Sequence, residues 1–158
     1  MGGSPISSFD EGTAEADVVD AMYEDIARAA LTSTRWRFAT NQQVLNRLAA
    51  APTSRFDAAY QMPSDLLMLS AVTVNDDPIV YDTYGDKVYC DTSTNEVVVA
   101  DYIYRATEAT WPSYFTLAVE FQVAAMLSIS IARDASLGSM MDQQAERQMI
   151  KARRLDSQ

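Results

Sequence analysis

The sequence contains no histidine, one cysteine and only five glycines in 158 residues, and each shortage removes a class of chemistry. Without histidine, the usual general base at neutral pH and the commonest transition-metal ligand are both missing. Ser-His and Cys-His nucleophile pairs are therefore impossible. The lone Cys90 cannot close an internal disulfide, which suits a reducing compartment. It lies between Tyr89 and Asp91 in a stretch of strand character, with nothing cationic to lower its pKa, and reads as a passive strand residue. Apart from Gly2-Gly3 the glycines (Gly12, Gly85, Gly138) are isolated, so no glycine-rich phosphate loop is available. Long hydrophobic runs are also lacking. The longest apolar stretch, Phe115 to Ala132, is interrupted by Glu120 and Gln122 and reads as a core helix, not a membrane span. Met1 to Phe9 has neither the basic region nor the apolar run of a secretory signal, so nothing addresses the chain to export and it is expected to be cytoplasmic at synthesis.

Basic residues are scarce as well. Twelve lysines and arginines face 22 acids, a formal charge of −10. The excess is uneven: Met1–Leu31 sums to −6 and Ser64–Thr110 to −7, whereas Arg35–Pro63 is +3 and Ser136–Gln158 is +1. A chain this acidic repels phosphate, which argues against sequence-independent binding of nucleic acid. A basic partner or a DNA-repelling channel suits it better.

What is present divides into periodic segments, with every proline (Pro5, Pro52, Pro63, Pro78, Pro112) and glycine falling between them. After a flexible start over 1–12, Thr13 is placed to cap a helix over about 13–31. Glu15 and Asp17 sit in its first turn, and Val18, Val19, Met22, Ile26 and Ala30 form its apolar stripe. Thr40-Asn41-Gln42-Gln43 matches a capping box and predicts a second helix over about 40–50. From about 66 to 104 the period changes to that of strands. Leu67–Val74, Ile79–Thr83, Lys87–Thr92 and Glu96–Tyr104 are separated by the turn groups Asn75–Pro78, Tyr84–Asp86 and Ser93–Asn95. A third helix over about 113–133 is apolar around most of its circumference, which predicts a central position. A fourth follows Gly138-Ser139 over about 139–155, with Met141, Ala145, Met149 and Ala152 on one face. The expected fold is α+β: one domain over 1–158, mainly a helical bundle of about four helices, with a small antiparallel β-meander inserted.

Candidate sites are few, and each has a plainer reading. Asp76, Asp77, Asp82 and Asp86 could hold a calcium ion or supply a pair of catalytic carboxylates, but solvated turns are the stronger reading. Asp91-Thr92-Ser93-Thr94-Asn95 imitates the start of an EF-hand loop, yet Glu96 stands where the loop needs glycine and Tyr102 where it needs glutamate. No catalytic residue, metal or cofactor is expected. Met140, Met141 and Met149 suit either an adaptable docking face or simple core packing. The basic group Arg147, Lys151, Arg153 and Arg154 reads either as a solvated helix end or, on so acidic a chain, as a partner-facing tail.

Taken in order, Trp36-x-Phe38-Ala39, Tyr60-x-Met62-Pro63-x-Asp65-Leu66, Val72-x-Val74 with Pro78, the Gly85 hairpin, Tyr102 and Trp111-Pro112-x-x-Phe115 form a pattern from about 14 to 155. This pattern resembles the phage head-to-tail adaptors, also called tail tubular protein A or gatekeeper-type connectors. Met62 departs from it, since such proteins tend to have leucine before the proline. The resemblance implies a structural virion protein and not an enzyme. It would be a subunit of a ring of about twelve copies beneath the portal at the neck of the particle. C-terminal helices carrying Arg147, Lys151, Arg153 and Arg154 would grip the portal protein. The acidic loops with Asp76, Asp77 and Asp86 would meet the next tail protein or line a channel that DNA crosses without sticking. No membrane is involved. Trp36, Tyr60 and Trp111 are expected as large anchors at helix-to-sheet junctions, with Pro63 and Pro112 setting chain direction there. Two other readings remain: a tail-associated hydrolase using Asp82 and Asp86 as paired acids, and a DNA-packaging component resembling a terminase small subunit.

Overall fold

The computed structural model describes residues 14–130 and 133–158. The expected Thr13 cap, the stretch 1–12 and the last turn of the predicted third helix at 131–132 lie outside the described residues. The chain forms two compact units, one made of the segments up to Phe38 and from Ala106 onward, the other of Ala39–Arg105.

The first unit is helical. Its elements are α1 (Ala14–Thr32), a 3-10 turn at Arg37–Ala39 whose last residue opens the second unit, another at Glu108–Thr110, α2 (Ser113–Ser130) and α3 (Ala135–Asp156). α1 buries Val19, Ala27, Ala30 and Leu31, residues that recur at helical spacing. α2 follows Pro112, whose carbonyl accepts the backbone N–H groups of Phe115 and Thr116 at 3.0 and 3.1 Å. α3 starts four residues before the predicted position, because Asp134 supplies the cap: its carboxylate accepts the Leu137 N–H at 3.0 Å. Gly138 thus lies inside the helix. A Cβ there would stand 2.4 Å from Ile129 Cγ1 of α2, so glycine is what lets the two helices approach.

The turn into α3 passes through Arg133, at φ 54°. A side chain with a Cβ is disfavoured there by roughly 1–2 kcal/mol relative to glycine. Arg133→Gly is accordingly expected to raise stability by about 0.5–1 kcal/mol, visible as a higher melting temperature in circular dichroism.

The second unit consists of two four-stranded antiparallel sheets. Its strands are β1 (Thr40–Val44), β2 (Asn46–Arg47), β3 (Ala58–Gln61), β4 (Leu66–Val74), β5 (Asp77–Pro78), β6 (Tyr81–Tyr84), β7 (Lys87–Cys90) and β8 (Val98–Tyr104). One sheet runs β1-β8-β4-β5 and the other β2-β3-β7-β6. The expectation of a bundle of about four helices with one inserted meander is therefore corrected. Among the described residues there are three α-helices and two sheets.

Two physical reasons account for the difference. The predicted helix at 40–50 is strand β1 followed by β2. Threonine, asparagine and valine are poor helix formers, and here the polar side chains find cross-strand partners. Asn41 Nδ2 donates to the Tyr102 hydroxyl, which donates to Gln43 Oε1, both at 3.2 Å. Gln42 Nε2 donates to Asp101 at 2.8 Å. The strands read as one meander separate because two faces must be buried together. Val88 and Cys90 of β7, and Val98, Ala100 and Tyr102 of β8, all enter one core with Tyr60 and Val72, which one sheet would leave half uncovered. The turns follow ordinary hairpin chemistry. Asn75 and Asp76 both have positive φ, 52° and 66°, as a type I′ turn requires. Gly85 alone is positive, at 61°, in the β6–β7 turn, the pattern of type II′.

Candidate functional site

Four aromatic positions of the sequence pattern, Trp36, Phe38, Trp111 and Phe115, come together in the helical unit. Trp36 is fully buried and stands edge-on to Phe115 with ring centroids 5.0 Å apart, while Phe38 packs on both at 5.8 and 4.9 Å. Trp111 meets Phe115 edge-on from another side at 4.9 Å. Both indoles are satisfied, Trp36 Nε1 donating to the Ala30 carbonyl at 2.8 Å and Trp111 Nε1 to that of Ala106 at 3.0 Å. Tyr60 is buried in the β unit, its hydroxyl 2.7 Å from Thr92 Oγ1. Pro63 precedes β4, where its carbonyl accepts the Leu66 N–H at 3.2 Å.

The acidic residues are not gathered into one site. Asp76 and Asp77 are exposed at the β4–β5 turn of one sheet, and Asp86 lies at the β6–β7 turn of the other. Gln61 Nε2 donates to the Asp86 carboxylate at 2.9 Å and Lys87 Nζ at 3.2 Å. Those two contacts, the Gln61 bond foremost, hold its pKa below the ordinary carboxylate value. Asp82 pairs instead with Arg55 at 3.7 Å. In the stretch that imitates an EF-hand loop, Asp91 accepts the Asp57 N–H at 2.9 Å and Glu96 accepts the Ser93 N–H at 2.8 Å. Both carboxylates thus brace the loop. Among the described residues no group of three or more cysteine and acidic side chains is placed to hold a metal ion. Cys90 is fully buried, and burial pushes its thiol pKa up, away from the reactive thiolate.

The basic group on α3 divides in two. Arg147, Lys151 and Arg154, at helical spacings of four and three, share the outward ridge of α3, opposite the buried Ala145, Met149 and Ala152. Arg153 lies to one side, at the rim of a groove of about 810 Å³ walled by Ala30, Ala125, Met126, Gly138 and Met149. All four are exposed, and none makes an ion pair among the described residues. The methionines divide as well: Met149 belongs to the core, whereas Met140 is exposed.

α2 keeps the apolar circumference its sequence promises, but it is not covered all round. Thr116, Glu120, Val123, Ala124 and Leu127 floor an open groove of about 380 Å³ that Tyr23 of α1 and Trp111 also line, and Leu117 of α2 is 42% exposed.

One residue that sequence reasoning passed over organises the end of α3. Asp156 is buried and its carboxylate accepts the Arg37 N–H at 2.8 Å and the Tyr114 hydroxyl at 2.7 Å. Arg37 Nη1 also donates to the Gln158 carbonyl at 2.8 Å. The one available signal was an acid in the last turn of a helix, where the dipole disfavours it. Among the described residues no helix is long and apolar enough to cross a membrane. No protein-family model and no curated protein matches the sequence.

Proposed function

We propose that this chain is a structural subunit of the head-to-tail adaptor ring that joins the portal to the tail of a phage particle and forms part of its DNA channel. The observation that carries the reading is the state of α2. A helix apolar on most sides is normally buried on those sides, yet here Val123, Ala124 and Leu127 stay half-buried along an open groove beside the exposed Glu120. Partner proteins of the neck supply that cover in the assembled particle. The aromatic and proline order of the adaptors supports the same reading, because Trp36, Phe38, Trp111 and Phe115 pack as one cluster. The charge agrees too: copies at −10 each repel DNA from a shared lumen.

The portal contact is assigned to Arg153 and Arg154 in the last turn of α3. Reversing both to glutamate is expected to weaken binding to purified portal rings of the same particle by at least about tenfold, measured by biolayer interferometry. Unchanged affinity removes this assignment. Ring formation is tested by native mass spectrometry of the full chain, alone and with those portal rings. A chain that stays monomeric in both overturns the adaptor reading.

The two alternatives find less support. A hydrolase acid needs a raised pKa, whereas Asp86 is shifted downward and Asp82 is paired with Arg55. A packaging role through DNA binding runs against the net charge.

A further inference from the structure

We infer that adjacent copies in the ring join through α1 of one and α3 of the next, the acidic outer ridge of the first lying on the basic and apolar outer ridge of the second. This rests on the adaptor reading and names the surfaces that close the ring.

On α1 the residues opposite the buried Val19, Ala27 and Ala30 are Asp17, Ala21 and Asp25, all exposed and one turn apart. Val18, 55% exposed, lies beside them. Arg28 shares this side, but its guanidinium is engaged by Glu24 at 2.6 Å, so the ridge remains negative. The small Ala21 at its middle lets another helix approach closely.

The outer ridge of α3 is the complement. Arg147 and Lys151 stand one turn apart with no ion-pair partner among the described residues. Met140 and Ile150 add apolar surface, 52% and 57% exposed. Asp142 faces the groove on the inner side, so it does not offset the ridge. At 1.5 Å per residue, Asp17 and Asp25 are about 12 Å apart along α1 and the two cations about 6 Å apart along α3, a difference their long side chains span. Because the two surfaces differ, the contact is head-to-tail, the kind that repeats around a closed ring, not the self-complementary kind that stops at a dimer.

The test is a charge exchange in the full-length chain, with assembly read by native mass spectrometry both alone and on portal rings. Arg147→Glu with Lys151→Glu, and separately Asp17→Lys with Asp25→Lys, are each expected to weaken assembly at least about tenfold. All four together are expected to restore it to within about threefold of the original. Because the ridges are exposed, melting curves of the variants are expected to match the parent. A second measurement does not depend on affinity: mixing Ala21→Cys with Ile150→Cys under mild oxidation is expected to give a crosslinked pair of copies. If the unaltered chain assembles but the reversals have no effect, or the fourfold exchange fails to restore assembly and no crosslink forms, this interface is wrong while the ring stands. If the unaltered chain never assembles, both fall.

Discussion

Replacing Trp36 with alanine is expected to destabilise the helical unit by about 3–5 kcal/mol, the usual cost of emptying a buried aromatic site. Trp36 is the largest of the fully buried side chains. Its loss removes the edge-on contact with Phe115 and the packing on Phe38, and leaves the Ala30 carbonyl without the indole N–H it accepts at 2.8 Å. Urea denaturation followed by helical circular dichroism measures the change. Trp36→Phe separates the two contributions: it keeps ring contacts with Phe115 but not the donor, and is expected to cost about 1–3 kcal/mol. In Trp36→Ala the remaining indole, Trp111, packs on the same Phe115, so its fluorescence is expected to shift to the red. A loss below about 1 kcal/mol with no spectral change would show that the cluster does not hold this unit together.

Asp156→Ala is expected to cost about 1–3 kcal/mol, because it removes the shared acceptor of two part-buried donors at once. The Arg37 N–H and the Tyr114 hydroxyl both point at this carboxylate, and their bonds tie the end of α3 to the segment after α1 and to the start of α2. Asp156→Asn retains one acceptor oxygen and is expected to cost less, about 1–2 kcal/mol. A pH signature accompanies the contact. Burial first, and then the carboxylate that holds its hydrogen, push the Tyr114 phenol from 10 up to about 12. The folded protein holds this proton more tightly than the unfolded chain, so the contribution is whole below pH 10 and is lost as pH rises towards about 12. Tyr114→Phe is expected to flatten the stability profile across that window. An ultraviolet phenolate titration of the parent is expected to lose one late-titrating tyrosine in the same variant.

The sequence announced local features well and long-range ones poorly, for reasons visible in individual residues. Hairpin turns at Asn75-Asp76 and Gly85 were legible because their backbone needs residues that tolerate positive φ. The three helices were legible from apolar spacing. The stretch 40–50 was not, because its fate depends on Tyr102 and Asp101, about sixty residues away, which give Asn41, Gln42 and Gln43 their partners. The division of strands between two sheets was hidden for a related reason. Alternation in β7 and β8 shows that each buries one face, but not that both bury it in one core. Of the candidate site, the basic residues were visible, but which of them share a ridge became clear only when Ala145, Met149 and Ala152 fixed the inner side of α3. Asp156 was hidden by a separation of 119 residues from Arg37.

The division of the chain also bears on the order of its folding. The β unit is one continuous stretch, Ala39–Arg105, and its first strand pairs with its last, Thr40 opposite Ile103. During synthesis it can therefore complete its hydrogen-bond ladders while the rest of the chain is still within the ribosome. The helical unit has no such option. α1 emerges first and buries its stripe only when α2 and α3 arrive, so it spends the making of the whole β unit as a nascent amphipathic segment, open to chaperones. Joining Phe38 to Ala106 by a short linker would shorten that wait, turning the slow discontinuous half into a local three-helix folding problem.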